Sequence, residues 1–579
     1  MSKETNLEHK RHTLAHLLAA AVMQLWPETN RTIGPAIDNG FYYDFEFKKP
    51  ISEKDLEKIE ALMRELLPSW ISVLGSETTP EEARALFVTN PFKLELIDEI
   101  AAKGETLTMY RSGDYEDLCR GGHLDNPSAE IAPDSFKLER VAGAYWRGSE
   151  KNPMLTRIYG LAFDTKEELD AYISQVEEAK KRDHKTLGPA LKLFMFHETS
   201  PGMPYWLPKG VAIINELVTF WRKEHSRHNY QEIVSPLVNK KELWITSGHW
   251  DHYKDDMFVA DMGEGEVYGI KPMNCPNAMV VFGSETRSYR DLPLRLSDTD
   301  TLHRYERSGT LNGLLRARSF RQDDSHNFIT EDMIESECAH ILDLTERFYG
   351  VFGLTYQLKL STRPDQFLGD IETWDKAEAA LKKVLDHKIG SGGYEIKEKD
   401  GAFYGPKIDI HMTDALRREW QMGTIQLDFQ QPRRFDLAYT ASDGSRKTPV
   451  AVHRVLYGSI ERFLGILIEH FAGAFPVWIS PVQVKILPIT SGHGEYSHKI
   501  ADELKEAGVR VEVDDDNESL GKKIRAAKME KVPYMLVIGD NELENNMVTV
   551  ESRDKGKVGE MSPADFKSKI LEEIASRSR

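Results

Sequence analysis

The stretch that decides the fold is HRYERSGTLNGLLRARSFRQDDSHNF, residues 303–328. It gathers five arginines, two aspartates and two histidines around a turn, SGTLNGLL. Arg304 and Arg316 flank that turn, so two antiparallel strands would present both guanidinium groups on one face. Each group is a planar fork that matches phosphate oxygens, so the pair suits a polyanion. Two arginines alone read more simply as a solvated charged hairpin. The rest of the chain decides between these readings.

The chain has 579 residues, 40% hydrophobic and 29% charged. That composition is ordinary for a globular protein of three or four domains. The net charge of −18 argues against nonspecific coating of nucleic acid but leaves room for a local basic groove, and no DNA partner is expected. No apolar run is long enough to span a bilayer. The opening MSKETNLEHKRHTLAH has no apolar signal core, which points to the cytoplasm. Cys119, Cys275 and Cys338 are too few for a disulfide framework, leaving thiols, metal ligands or catalytic groups.

Residues 8–26 read as an amphipathic helix, NGFYYDFEF as a strand after an Asn-Gly turn, and SEKDLEKIEALMRELL as a helix capped by Ser52. This α+β region runs over 1–164. Residues 165–188 are charged and helical, a linker. The segment 189–476 has a long helix, then a short strand ending at Pro236. The strands MFVADM, EVYGIKP, HNFITED, TYQLKLS, IDIHMTD and GTIQLDF follow and are expected to form one antiparallel sheet. From 477 to 579 strand and helix alternate, predicting an α/β domain with a parallel core. The fold class is therefore multidomain, α+β and α/β.

LHRYERSGTLNGLLRARSFRQDDSH resembles motif 2 of the class II aminoacyl-tRNA synthetases, GSIERF at 458–463 resembles motif 3, and YQEIVSPLV with Pro236 resembles motif 1. With KPMNCPN, YGPKIDIHMTDALRREWQMGTIQLDF and VAVHRVLYGSIERF, the chain is similar to the threonyl-tRNA synthetase family over essentially its whole length. The resemblance implies a class II antiparallel core flanked by an N-terminal editing domain and a C-terminal anticodon-binding domain. It implies a homodimer built through motif 1. The implied partners are L-threonine, ATP with Mg²⁺, and tRNA(Thr). The usual ubiquitin-like N-terminal domain is expected to be absent.

On the same resemblance, Arg304 holds the α-phosphate and the amino-acid carboxylate, and Glu306 meets the adenine amino group. Phe320 stacks on adenine with Arg462 opposite, and Arg462 also meets the γ-phosphate. Arg316 faces the terminal phosphates, and Gln421 and Thr424 line the nucleotide site. Gln322, Asp324, Tyr404 and Gln426 take threonine, and Lys407 is the basic residue nearby. Met422 stands where some relatives carry cysteine. Cys275, His326 and His453 lie 51 and 127 residues apart, so spacing makes no metal site, and each read singly is a buried structural residue. All three fall at the family's zinc positions, implying a three-ligand Zn²⁺ with open coordination. Threonine would ligate it through amino and hydroxyl groups. Valine lacks the hydroxyl, and rejection by about 10⁴ is available to a site built for it. Serine lacks only a methyl, worth about 1–3 kcal/mol, so a second site must destroy seryl-tRNA.

HTLAH places His12 and His16 on one helical face, and DLCRGGH gives Cys119 and His123 the same spacing. Spacing alone reads as zinc. A metal-free hydrolytic site and plain packing are the other readings. The resemblance implies metal-free hydrolysis, with Lys93 and Asp117 also on editing positions. Gly122 replaces the usual proline, predicting a looser loop. VPYMLVIGDNE resembles the anticodon-binding domain. Glu542 matches a base-reading residue, and Glu551 stands where the family often has arginine. A noncatalytic RNA-binding relative would have lost motif arginines or zinc ligands, and none is lost.

Overall fold

Strand Asp324–Ile329 has six buried residues in a row, so it must be covered on both faces. It lies third in an eight-stranded sheet. The order is Tyr230–Glu232, Leu294–Asp298, Asp324–Ile329, Val450–Val455, Glu419–Asp428, Lys407–Thr413, Gln357–Ser361, Tyr394–Lys397. The computed structural model that shows this describes residues 3–414 and 418–578. Residues 415–417, inside the quoted stretch 404–429, lie outside the described residues.

The inner pairings are antiparallel, as expected, but both outer ones are parallel. Each parallel pair is joined by a long crossover. One holds everything between 232 and 294, and the other holds helix Ile371–Ile389. That is the connection parallel strands require. A second correction concerns MFVADM and EVYGIKP. They pair with each other in a separate three-stranded sheet, where the EVYGIKP strand is central and also pairs with Val238–Lys240. Their strands are short and partly exposed, unfit for a doubly covered layer. Helices Pro208–Arg227, Ile334–Gly350, Ile371–Ile389 and Ile460–His470 share the main core with the sheet.

The chain divides into two compact units, Met1–Glu177 and Glu178–Arg579. In the first, helix Lys3–Leu25 departs from the amphipathic reading, since every residue from Thr13 to Val22 is buried. Ala19, Ala20 and Ala21 are small enough for strand Gly40–Glu46 and helix Leu56–Leu66 to pack around it, and a helix apolar on all sides is a core helix. Ser52 opens a 3₁₀ turn, its backbone N–H donating to the Asp55 carboxylate at 2.8 Å. Strands Leu74–Thr78, Leu107–Ser112 and Tyr115–Leu118 form a separate sheet of this unit. The C-terminal part of the second unit has a five-stranded sheet. Val511–Val513, Val484–Pro488 and Tyr534–Ile538 are parallel, and Val548–Ser552 and Gly556–Met561 add an antiparallel flank. No helix among the described residues is long and apolar enough to cross a membrane.

Candidate active site

The two central strands bring the distant donors together. His326 is directly opposite His453, and His453 is opposite Gln426. Asp324 and His326 share a face because side chains on a strand alternate. Cys275 opens helix Cys275–Gly283, with Pro276 in its first turn. One donor atom each from Cys275, His326 and His453 lies within 4.8 Å of the others. His453 Nε2 is 2.9 Å from Asp428 Oδ2, which orients the ring and leaves Nδ1 as its free ligand atom. Burial pushes the Cys275 thiol up and His326 well down, so both are neutral without an ion, and a divalent cation would draw out the thiolate. One sulfur and two imidazole donors, all buried, fit zinc.

A 740 Å³ cleft opens over these donors. It is lined by every catalytic-site residue expected from the sequence: Cys275, Arg304, Glu306, Arg316, Phe320, Gln322, Asp324, His326, Tyr404, Lys407, Gln421, Thr424, Gln426, His453 and Arg462. Asp324 accepts from Asn274 Nδ2 at 3.2 Å, and burial raises its carboxyl to about 6 against the pull of His453. Tyr404 donates to Gln426 Oε1 at 3.0 Å.

At the other end, strands Thr301–His303 and Ser319–Arg321 pair, and the two arginines stand just beyond them. Arg304 lies 5.1 Å from the Phe320 ring centre. Arg316 is bound to Glu306 at 2.8 Å. Arg462 donates to the Leu315 and Gln421 carbonyls at 2.8 and 2.7 Å. Burial, then Arg304 and Arg316, lower it to about 10. Such a concentration of guanidinium charge calls for a polyanion.

In the first unit a 310 Å³ cavity is lined by His12, His16, Lys93, Asp117 and Cys119 among others. Cys119 Sγ is 3.4 Å from His12 Nε2 and 3.3 Å from His123 Nε2. Lys93 and Asp117 form a fully buried ion pair at 2.7 Å. Burial alone would raise Asp117, but Lys93 and Arg31 hold it well below the usual carboxylate range. Burial lowers His16 to about 3 and raises Cys119 to about 11. The cavity thus holds uncharged imidazole and thiol groups beside the Lys93–Asp117 ion pair. Gly122 has φ +82° and its carbonyl accepts from His12 Nδ1 at 3.2 Å. Proline, fixed near φ −65°, cannot follow this path. The loop is a specific rest for His12.

The matches to known proteins follow the same division. Residues 258–471 match the tRNA synthetase class II core domain (G, H, P, S and T). Residues 483–573 match an anticodon binding domain, and 107–159 match the threonyl and alanyl tRNA synthetase second additional domain. The threonine–tRNA ligase of Acetivibrio thermocellus is 51% identical over 570 residues, spanning 98% of this chain and 88% of that protein. That of Thermotoga maritima is 50% identical over 574 residues, spanning 98% and 88%. The chain belongs to the threonyl-tRNA synthetase family. A solved structure, the RNA binding domain of threonyl-tRNA synthetase from Cryptosporidium parvum Iowa II, is 42% identical with a TM-score of 0.65, covering 67% of this chain and 98% of that one. Like the relatives it matches, the enzyme is a threonine–tRNA ligase, and its second additional domain fits a role in editing.

Several residues of this synthetase escape a reading by motif. Asp409, buried, joins several of the cleft residues. Lys407 Nζ lies at 2.7 Å and Thr424 Oγ1 at 3.2 Å, and Gln421 Nε2 also donates to it. Alternation puts Lys407 and Asp409 on one face, which is the only sequence signal. Gln421 and Thr424 have opposite parity, yet they share that face. The register shifts at Ile410/His411, where Met422 is the extra residue. His249, buried, places Nε2 3.8 Å from Cys275 Sγ. In the first unit Arg31, Tyr43 and Tyr115 all reach Asp117. Glu542 accepts the Gly539 N–H at 2.9 Å and the Thr549 hydroxyl at 2.7 Å, so both its oxygens are engaged within the fold. Glu551 pairs with Lys528 at 2.7 Å.

Proposed function

We propose that Cys275, His326 and His453 hold one Zn²⁺ at the floor of the cleft, with Asp324, Gln322, Tyr404 and Gln426 around the threonine side chain and amino group. The observation that carries this is the convergence of a buried thiol, two buried imidazoles and a buried carboxylate beside an arginine cluster. When bound, the ion supplies a Lewis acid that takes an alcohol and an amine but finds no second donor on valine. Asp324 completes the recognition by accepting a hydrogen bond from the hydroxyl.

Arg304 orients the threonine carboxylate toward the α-phosphorus of ATP and neutralises charge there. One carboxylate oxygen forms the new P–O bond while the bond to the pyrophosphate oxygen breaks. Phe320 and Arg462 sandwich the adenine, Glu306 accepts from its amino group, and Arg316 takes the terminal phosphates that Mg²⁺ accompanies. Lys407, set by Asp409, adds charge at the carboxylate. In the second step a terminal ribose hydroxyl of tRNA(Thr) attacks the activated carbonyl and AMP leaves. The protein contributes positioning and fixed charge.

The cavity of the first unit hydrolyses the seryl ester. Neutral His12, His16 and His123 orient water, and Lys93 faces the developing oxyanion. We assign residues 1–164 to editing, 165–188 to a linker, 189–476 to the catalytic domain and 477–579 to anticodon binding, with Glu542 near the base it reads. The exposed apolar side chains Val234, Leu237 and Val238 beside Pro236 support a homodimer through motif 1. The place of action is the cytoplasm. Pyrophosphate exchange measured with each of the twenty amino acids tests the assignment. Exchange with threonine is expected, weak exchange with serine follows, and strong exchange with valine would contradict it.

A further inference from the structure

His184 opens the short helix His184–Ala190, which follows helix Lys166–Arg182, and it is fully buried. Its Nε2 accepts the backbone N–H of Leu314 at 3.1 Å. Its Nδ1 donates to Glu469 Oε1 at 2.7 Å. A ring that accepts through one nitrogen and donates through the other is neutral, with its proton on Nδ1. His184 and Glu469 resemble a general-base dyad, but the nitrogen that would meet a substrate is occupied by an amide. The pair is a strut.

What it braces is specific. Leu314 lies two residues before Arg316, and Glu469 sits in the last turn of helix Ile460–His470, which carries Arg462. The next carbonyl, that of Leu315, accepts from Arg462 at 2.8 Å. The Leu314–Leu315 segment is thus held at both ends, its N–H by His184 and its last carbonyl by Arg462. Lys185 Nζ donates to Asn312 Oδ1 at 3.1 Å, adding a second tie. Gly313 has φ +53°, and a Cβ there would stand 2.3 Å from His184 Nε2, so the turn closes directly on the ring.

We infer that His184 is a positioning residue for threonine activation: it fixes the turn between the two arginines and thereby the approach of Arg316 to the terminal phosphates of ATP. This rests on the proposed phosphate role of Arg316. Threonine, at the far end of the cleft, does not depend on the strut.

The test is threonine-dependent pyrophosphate exchange by the full-length, metal-loaded enzyme. His184→Ala should raise the KM for ATP about tenfold, as expected of a displacement under 1 Å, and change the KM for threonine by less than about twofold. His184→Gln, which keeps an acceptor for the Leu314 N–H, should recover most of that loss. Gly313→Ala, which pushes the turn off an intact histidine, should give the same ATP-selective rise, and it decides the matter if His184→Ala does not fold. Unchanged constants in folded His184→Ala or Gly313→Ala, a parallel rise for both substrates, or a glutamine variant no better than alanine would overturn the strut. Arg316→Ala is run alongside. If it leaves the KM for ATP unchanged, the phosphate role itself is overturned and the strut with it. If it raises that KM while the His184 variants do not, only the strut is lost.

Discussion

Asp324 shows how much a single residue contributes to the account. It is buried, partly satisfied by Asn274, and its carboxyl is raised to about 6 by burial. An acceptor left in this state needs a donor from the substrate, and a hydroxyl supplies one. Asp324→Asn should lower the preference for threonine over valine by about 10- to 100-fold, the cost of one buried polar contact, measured as the ratio of kcat/KM values in pyrophosphate exchange. An unchanged ratio would remove Asp324 from side-chain recognition. Cavity-lining residues could be named in advance where chemistry and motif coincide, as with Arg304, Phe320 and the HTLAH pair. Asp409 and Arg31 could not. Each acts through partners on other elements, Arg31 on Asp117 and Asp409 on Gln421, Thr424 and Ser361, and linear spacing says nothing of such contacts.

Elements set the precision of the site. The bulge opposite Ile410/His411 turns Gln421 and Thr424 to one face, and no periodicity argument anticipates a shift of one residue. The parallel pairings at both edges escaped the antiparallel reading for a related reason. Strand direction depends on what the intervening chain does, while the apolar pattern of a strand is blind to it. The buried Lys3–Leu25 helix was misjudged because alanines look like a permissive surface as readily as a tight core. Gly458, which opens motif 3, has φ +75°, and a Cβ would lie 2.1 Å from the Met422 carbonyl oxygen. Both are backbone constraints, with no flexible side chain to yield. Gly458→Ala should therefore cost at least about 2 kcal/mol of stability, seen as a lower denaturant midpoint, and reduce activation through displaced Arg462. A variant with wild-type stability and activity would show that the backbone there is not constrained.

At the scale of the molecule, the chain has two units, each with its own cavity and its own cluster of histidine and cysteine, and the proposed activation and editing chemistries fall one to each. The order of these parts was legible because the motifs occur in sequence order. The character of the two clusters was not, since both satisfy the same donor distances. Replacing His12 and His16 together with alanine should leave threonylation within about twofold while seryl-tRNA accumulates, because in the present account the editing groups take no part in activation. Absence of seryl-tRNA would move editing elsewhere. The most direct test is elemental analysis of the purified chain, paired with threonine-dependent pyrophosphate exchange before and after chelation. One zinc per chain is expected, lost in His326→Ala, with exchange that disappears on chelation and returns with added zinc. A chain free of zinc that activates threonine at the full rate would contradict the proposed zinc site.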